Sequence, residues 1–412
     1  MKTFTQAAKK RVALFLAVAG PGLVVMLADT DAGSIITAAQ SGAVWGYKLL
    51  ILQFILIPIL YIAQELTVRL GLSTGMGHGE LIKKHFGSFW AWISVSTLLV
   101  CCIGALITEL SGLVGVGSLF GIPGYLTMIV VVSFLIVIAW TGNYLSVERI
   151  ALLLGAFELV FLYVAWKAHP DLKSIVDSFV SLPLHDKSYL YLAAANIGAV
   201  IMPWMIFYQQ SAVLDKKLDM KVIKMARWDT AIGAVITQLI MAAVLIAAAA
   251  TLYTAHANTS LESVADISHA LTPFLGETTG RLLFAAGMMG AALVASIVVS
   301  LTAAWGLGEV LGYRRSLQDH PREAPWFYGM YTAVLIIGGI IVSTPINLVK
   351  LSVAVEVMNA LLLPIVLGFL FILAVKALPE EHRLKGWYAY FVGTILSITA
   401  VFGVVAGLMG LA

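Results

Sequence analysis

The sequence predicts an all-α integral membrane protein with about eleven transmembrane helices. Three observations carry this expectation. Of the residues, 60% are hydrophobic and 11% are charged, and the mean hydropathy is +0.96, whereas a soluble globular chain carries about 25% charged residues. Apolar stretches long enough to cross a bilayer, about 20 residues each, recur from one end of the chain to the other. Two of these stretches are interrupted by residues that break helices or carry charge, at Asp29-Thr30-Asp31-Ala32-Gly33-Ser34 and at Gly198-Ala199-Val200-Ile201-Met202-Pro203.

The expected segments run over roughly 13–41, 47–71, 90–117, 123–143, 148–167, 189–214, 229–254, 281–312, 327–344, 347–375 and 387–411. The loops near 168–188 and 255–280 are too short for a separate fold, so residues 1–412 read as one polytopic domain. Lys9, Lys10 and Arg11 before Val12–Gly20 imitate a signal peptide. The apolar run continues past Pro21 into Leu23–Leu27, so an uncleaved first helix is expected. Cys101 and Cys102 are neighbours on one apolar helix and point different ways, which implies no disulfide framework.

Basic residues set the orientation. With the N-terminus inside, 19 of the 25 Lys and Arg fall on the cytoplasmic side, as positive-inside topology requires. The C-terminus is then outside, and the membrane is expected to be the bacterial inner membrane. The net charge of +3 reflects this bias, not a nucleic-acid footprint. Trp90, Trp92, Trp166, Trp228, Trp326 and Trp387 stand near helix ends, where interfacial belts form.

Eleven segments suit two repeats of five and one extra helix. Repeat one covers about 13–167, repeat two about 189–375, and the extra helix about 387–411. Segments 1 and 6 are then equivalent, and both are broken, at Asp31–Ser34 and at Gly198–Pro203. Paired interruptions in two halves point to a transporter site near mid-membrane.

The helix cores hold Asp29, Asp31, Glu109, Glu158 and Glu356 but no Lys or Arg. All eight histidines fall in loops or at edges. Intramembrane acids need a counter-charge, and a bound cation supplies one. Carboxylates with hydroxyls and carbonyls suit a hard divalent ion, and the missing imidazole argues against the usual zinc or copper site. Asp31 is either an ion ligand or the cap of the following half-helix. Asp29 shares an ion with it only if the backbone is extended there. Met202 is either core filler or a thioether donor. Glu356 is either an outer carboxylate of the site or a hydrogen-bonded neutral acid. Glu158 and Glu309 read as structural.

Gly20-Pro21-Gly22, Asp31-Ala32-Gly33-Ser34, Gln40-Ser41-Gly42-Ala43 and Gly46-Tyr47-Lys48-Leu49-Leu50 resemble the first helices of the Nramp divalent-metal transporters. Met202-Pro203 and Thr108-Glu109 extend the resemblance. It implies a LeuT-like fold and a divalent cation as the transported substrate, with no other cofactor. By position, Asp31, Ser34, Met202 and the Ala199 carbonyl would take the ligand places.

The departures from the family pattern are as telling. Its DPGN is here Asp31-Ala32-Gly33-Ser34, and its MPH is Met202-Pro203-Trp204. One of two helix 3 acids aligns with Gly112 and leaves Glu109. An arginine pair aligns with Tyr328 and Gly329, and a glutamine aligns with Glu356. The titratable relay is largely dismantled, while acidity near the ion rises through Asp29 and Glu356. The pattern resembles the Nramp-related magnesium transporter branch, in which proton coupling is lost.

The expected function is transport of Mg²⁺ and Mn²⁺ into the cytoplasm, with the lipid bilayer and the ions as its partners and no obligate protein partner. Three alternatives stand beside it. They are a proton-coupled Mn²⁺/Fe²⁺ importer, a LeuT-fold organic solute carrier, and an intramembrane aspartyl protease built on Asp31 and the Gly306-Leu307-Gly308-Glu309 stretch.

Overall fold

The computed structural model describes residues 18–253, 261–343 and 347–411. The basic residues Lys2, Lys9, Lys10 and Arg11 and the start of the first segment lie outside them, as does His256. Apolar helices account for the expected segments. The first is a bent pair, α1 (Pro21–Asp29) and α2 (Ala32–Trp45), whose axes meet at 47°. Then come α3 (Leu50–Thr74), a surface helix α4 (His78–Phe86), α5 (Ser88–Leu119) and α6 (Gly124–Trp140). The fifth segment is α7 (Tyr144–Gly155) and α8 (Val160–Lys167), joined by a 3₁₀ turn over Ala156–Leu159. The sixth is α9 (Lys187–Val200) and α10 (Pro203–Asp215). The rest are α11 (Ile223–Ala248), α12 (Glu277–Leu311), α13 (Pro325–Val342), α14 (Leu348–Lys376) and α15 (Gly386–Leu411).

Among the described residues, nine spans are long and apolar enough to cross a membrane, and the bent pair makes ten. The shorter apolar helix α6 supplies the eleventh segment. Apolar side chains such as Ile129, Val137, Leu153, Ile340 and Val401 face outward, and Trp166, Trp228, Trp326 and Trp387 are exposed near helix ends. A lipid-facing surface requires both features.

Both breaks fall in the expected segments, each at a different residue. The first is at Thr30–Asp31, not Asp31–Ser34: the Asp31 side chain caps α2, which pulls Ala32, Gly33 and Ser34 into the first helical turn. The second is confined to Ile201–Met202, and Gly198 remains helical. Pro203 opens α10 at the one position where its missing N–H costs nothing.

The basic loops gather at one end of the molecule. There Lys216 bonds Glu148 and the Ala19 carbonyl, Arg227 pairs with Glu65, and Arg315 with Glu80. The Gly20-Pro21-Gly22 turn has a local cause as well. Asp229 on α11 accepts from Gly20 N, Gly22 N and Leu23 N, so it satisfies the free donors at the start of α1.

Candidate metal-ion site

A helix start leaves N–H groups without partners and a helix end leaves carbonyls. The two breaks bring one of each together deep in the bundle. At the start of α2, Asp31 Oδ1 accepts from Ser34 N at 2.7 Å. Glu109 on α5 reaches the same turn, where its Oε2 accepts from Ala32 N at 3.0 Å. Two carboxylates thus sit at the positive end of a helix dipole. Facing them is the carbonyl end of α9, where Ser34 Oγ donates to the Ala199 carbonyl at 3.2 Å.

Glu356 on α14 closes a third side. Its Oε2 accepts from Asn359 Nδ2 at 3.0 Å, and its other oxygen lies against Gly33, as does Asp31 Oδ1. Asp31, Ser34, Glu109, Ala199 and Glu356 are therefore one constellation. All of these side chains are buried.

Asp29 and Met202 have other hydrogen-bond partners. Asp29 ends α1 and faces α11, with its Oδ2 at 3.4 Å from Thr237 Oγ1. Thr237 also bonds Thr30 at 2.6 Å. The Met202 sulfur accepts from the indole Nε1–H of Trp204 at 3.1 Å. Among the described residues, no three His, Cys, Asp or Glu side chains converge closely enough to clasp a bare ion.

Glu158, which reads as structural in the sequence, lies near this constellation. The 3₁₀ turn carries it inward, beside Thr30, where it interacts electrostatically with Asp29 and Asp31. Neither of its oxygens has a hydrogen-bond partner. The sequence signal was present, an acid inside an apolar segment, but the turn that aims it was not legible. Glu309 lies apart from this constellation: it bonds Gly79 N at 2.7 Å and Ser211 Oγ at 2.6 Å near the basic end. It does not face Asp31, so the aspartyl dyad is not built.

Asp31 Oδ2 and Glu356 Oε1 of the constellation, and Asp29 Oδ1 beside it, are buried without hydrogen-bond partners. No ion pair among the described residues involves Asp29, Asp31, Glu109 or Glu356. Carboxylate oxygens in such a setting demand a cation or a proton.

The family model for natural resistance-associated macrophage protein-like chains, Nramp, matches residues 22–408. The chain belongs to the Nramp family. It is 26% identical over 301 residues to a divalent metal cation transporter, MntH, of Staphylococcus aureus strain Mu50. The MntH of strain Newman is 27% identical over 300 residues. In each case the match takes in 68% of this Nramp chain and 65% of the relative's length.

Among solved structures, a manganese transporter of Eremococcus coleocola superposes with a TM-score of 0.74 at 18% identity, over 96% of this chain and 86% of that one. A Na⁺-coupled sialic acid symporter gives a TM-score of 0.61 at 14% identity, over 94% and 89%. At these identities the likeness is one of fold, and the LeuT-like helical architecture expected for this Nramp chain is the one observed.

Proposed function

We propose that this chain is a secondary transporter that carries divalent metal ions, Mg²⁺ and Mn²⁺, into the cytoplasm by alternating access without proton coupling. One observation carries the reading. At the meeting of two helix breaks, Asp31 and Glu356 flank Gly33, and each keeps a buried oxygen free of protein partners. A divalent cation neutralises both. Ser34 and the Ala199 carbonyl add neutral oxygen donors beside them. Oxygen-rich sites of this kind favour hard ions. The S. aureus relatives are described as divalent metal cation transporters, which supports the same class of substrate.

Magnesium sheds its water reluctantly and is held through one or two carboxylates with several waters retained. Ser34 is short and leaves room for water, and Asp29 and Glu356 attract a hydrated ion from further out. Alternating access then needs one repeat or bundle to move against the other around an ion held at the breaks. The basic end is the cytoplasmic one in this reading, which puts the N-terminus inside and the C-terminus outside a bacterial plasma membrane. No protein partner is required.

A second reading keeps the same site and adds a proton. Retention of Met202 and Glu109 favours a proton-coupled Mn²⁺/Fe²⁺ importer, because sulfur suits softer ions and Glu109 adjoins the ion-binding turn. An organic solute is disfavoured, since a substrate carboxylate meets several acids here. Manganese uptake into proteoliposomes decides between the two metal readings. Magnesium at on the order of millimolar concentration should compete, as expected of a weakly dehydrated oxygen site, and calcium should compete poorly. Manganese uptake untouched by excess magnesium hands the site to the second reading.

A further inference from the structure

We propose that Trp204 sets the hardness of the metal site by engaging the Met202 thioether in competition with the ion. The inference rests on the metal-transport reading and deepens it. Met202 lies in the extended link between α9 and α10, directly before Pro203. Its side chain is the one soft donor at the two breaks. Trp204, one residue into α10, is fully buried, as is Met202. The indole Nε1–H donates to the Met202 sulfur at 3.1 Å. Indole has one donor and no acceptor, and a buried indole N–H left without a partner carries a desolvation penalty.

Two consequences follow. Ligation of an ion draws on the same sulfur lone pairs that accept the indole N–H, so it weakens this bond, and a soft ion must overcome that cost before it gains from sulfur. A hard ion does not use the thioether and feels no such cost. Trp204 touches the ion only through Met202 and is therefore a positioning residue. Its effect is differential: it lowers the affinity for Cd²⁺ and leaves that for Mg²⁺ alone.

The test is calorimetric binding of Cd²⁺ and of Mg²⁺ to the purified full-length protein. Two replacements at position 204 are compared. Trp204→Phe deletes the donor and part of the volume. The analogue β-(3-benzothienyl)alanine replaces the N–H by sulfur at nearly constant shape, so it answers for folding. Loss of one neutral hydrogen bond predicts that Cd²⁺ affinity rises about fivefold in both, while Mg²⁺ affinity stays within about twofold. In a Met202→Leu background the Cd²⁺ gain should vanish, since the coupling runs through sulfur. Unchanged Cd²⁺ affinity in the benzothienyl protein overturns the proposal, and so does a gain that persists with Met202→Leu. Neither result touches the transport reading, which fails separately if the unaltered protein binds no divalent ion.

Discussion

The Glu356 carboxylate rests against the bare α-carbon of Gly33, with Oε1 2.5 Å from where a β-carbon would stand. Asp31 Oδ1 is 3.4 Å from the same point. Glycine here lets a carboxylate from α14 approach the first turn of α2. Gly33→Ala should push Glu356 aside and cost about 1–3 kcal/mol, the usual range for overpacking. Because the colliding atom ends a flexible side chain, the protein should still fold. Ion affinity should fall in Gly33→Ala and in Glu356→Gln by similar factors, and the double variant should lose little more. Fully additive losses in calorimetry would separate Gly33 from Glu356.

Gly198 makes the opposite kind of contact. A β-carbon there would overlap the backbone carbonyl oxygen of Glu356 and stand 2.9 Å from Ala360 N. Backbone cannot swing away, so α9 and α14 must separate. Gly198→Ala should destabilise the protein well beyond Gly33→Ala, and thermal unfolding of the two variants in the same detergent checks the order. Equal midpoints would mean that the α9–α14 contact yields.

These two glycines show what was legible in the sequence. Charge and breaker residues in apolar runs disclosed the two interruptions and Asp31, Glu109 and Glu356, because polar groups in lipid have few innocent explanations. Close approach between distant helices leaves no such trace. Gly198 looked like an unwinding residue and is a packing one. Glu158 is aimed by a 3₁₀ turn that depends on neighbours from α1 and α12, for Gly155 packs on Leu27 and Gly290 on Leu154. The break falls at Thr30–Asp31 rather than at Asp31–Ser34, because Asp31 Oδ1 caps α2 while Oδ2 stays free.

That division of labour at Asp31 can be tested. Asn caps helices about as well as Asp but carries no charge. Asp31→Asn should keep the start of α2 and lose the anion that faces the ion. Thermal stability should stay within about 1 kcal/mol of the parent, while divalent-ion affinity should drop on the order of 100-fold, the scale for losing one partner of a desolvated charge pair. Parental affinity for Mn²⁺ in this variant would sink the assignment of Asp31 to the ion.

His78 gives the protein an acid limit. It opens α4 at the basic end, outside the membrane spans, and is fully buried against Phe207, with Nδ1 3.2 Å from Gln210 Oε1. Burial pulls its pKa from 6.5 down to about 4. The unfolded chain therefore binds this proton between pH 6.5 and 4 while the folded chain does not. Stability is fully present above about 6.5 and falls as the pH drops through that window, by about 3 kcal/mol in all. Unfolding measured from pH 7 to pH 4 should show a shallower decline in His78→Gln than in the parent. Parallel curves would assign acid sensitivity to other groups.

Metal uptake should proceed without acidifying the vesicle interior. Coupling needs a group that gains and loses a proton in the working range and changes exposure during the cycle. Histidine is the side chain with an unperturbed pKa in that range, and none lies among the residues that meet at the breaks. Trp204 stands beside Met202 and is occupied with its sulfur. Gly112 carries no charge, and the space above it is taken by Ala32. Glu109 is the acid best placed to carry a proton, but its Oε2 holds Ala32 N at the start of α2 and its Oε1 accepts from Thr108. Releasing it for proton traffic would undo the turn that positions Asp31. Glu109→Gln should keep the turn, since its amide oxygen can accept from Ala32 N and its amide nitrogen can donate to the Thr108 hydroxyl, and should leave the internal pH trace flat as in the parent. A pH-sensitive dye inside proteoliposomes bathed in manganese compares the parent with the variant. Acidification that tracks ion entry in the parent and disappears in Glu109→Gln would establish coupling and identify its carrier.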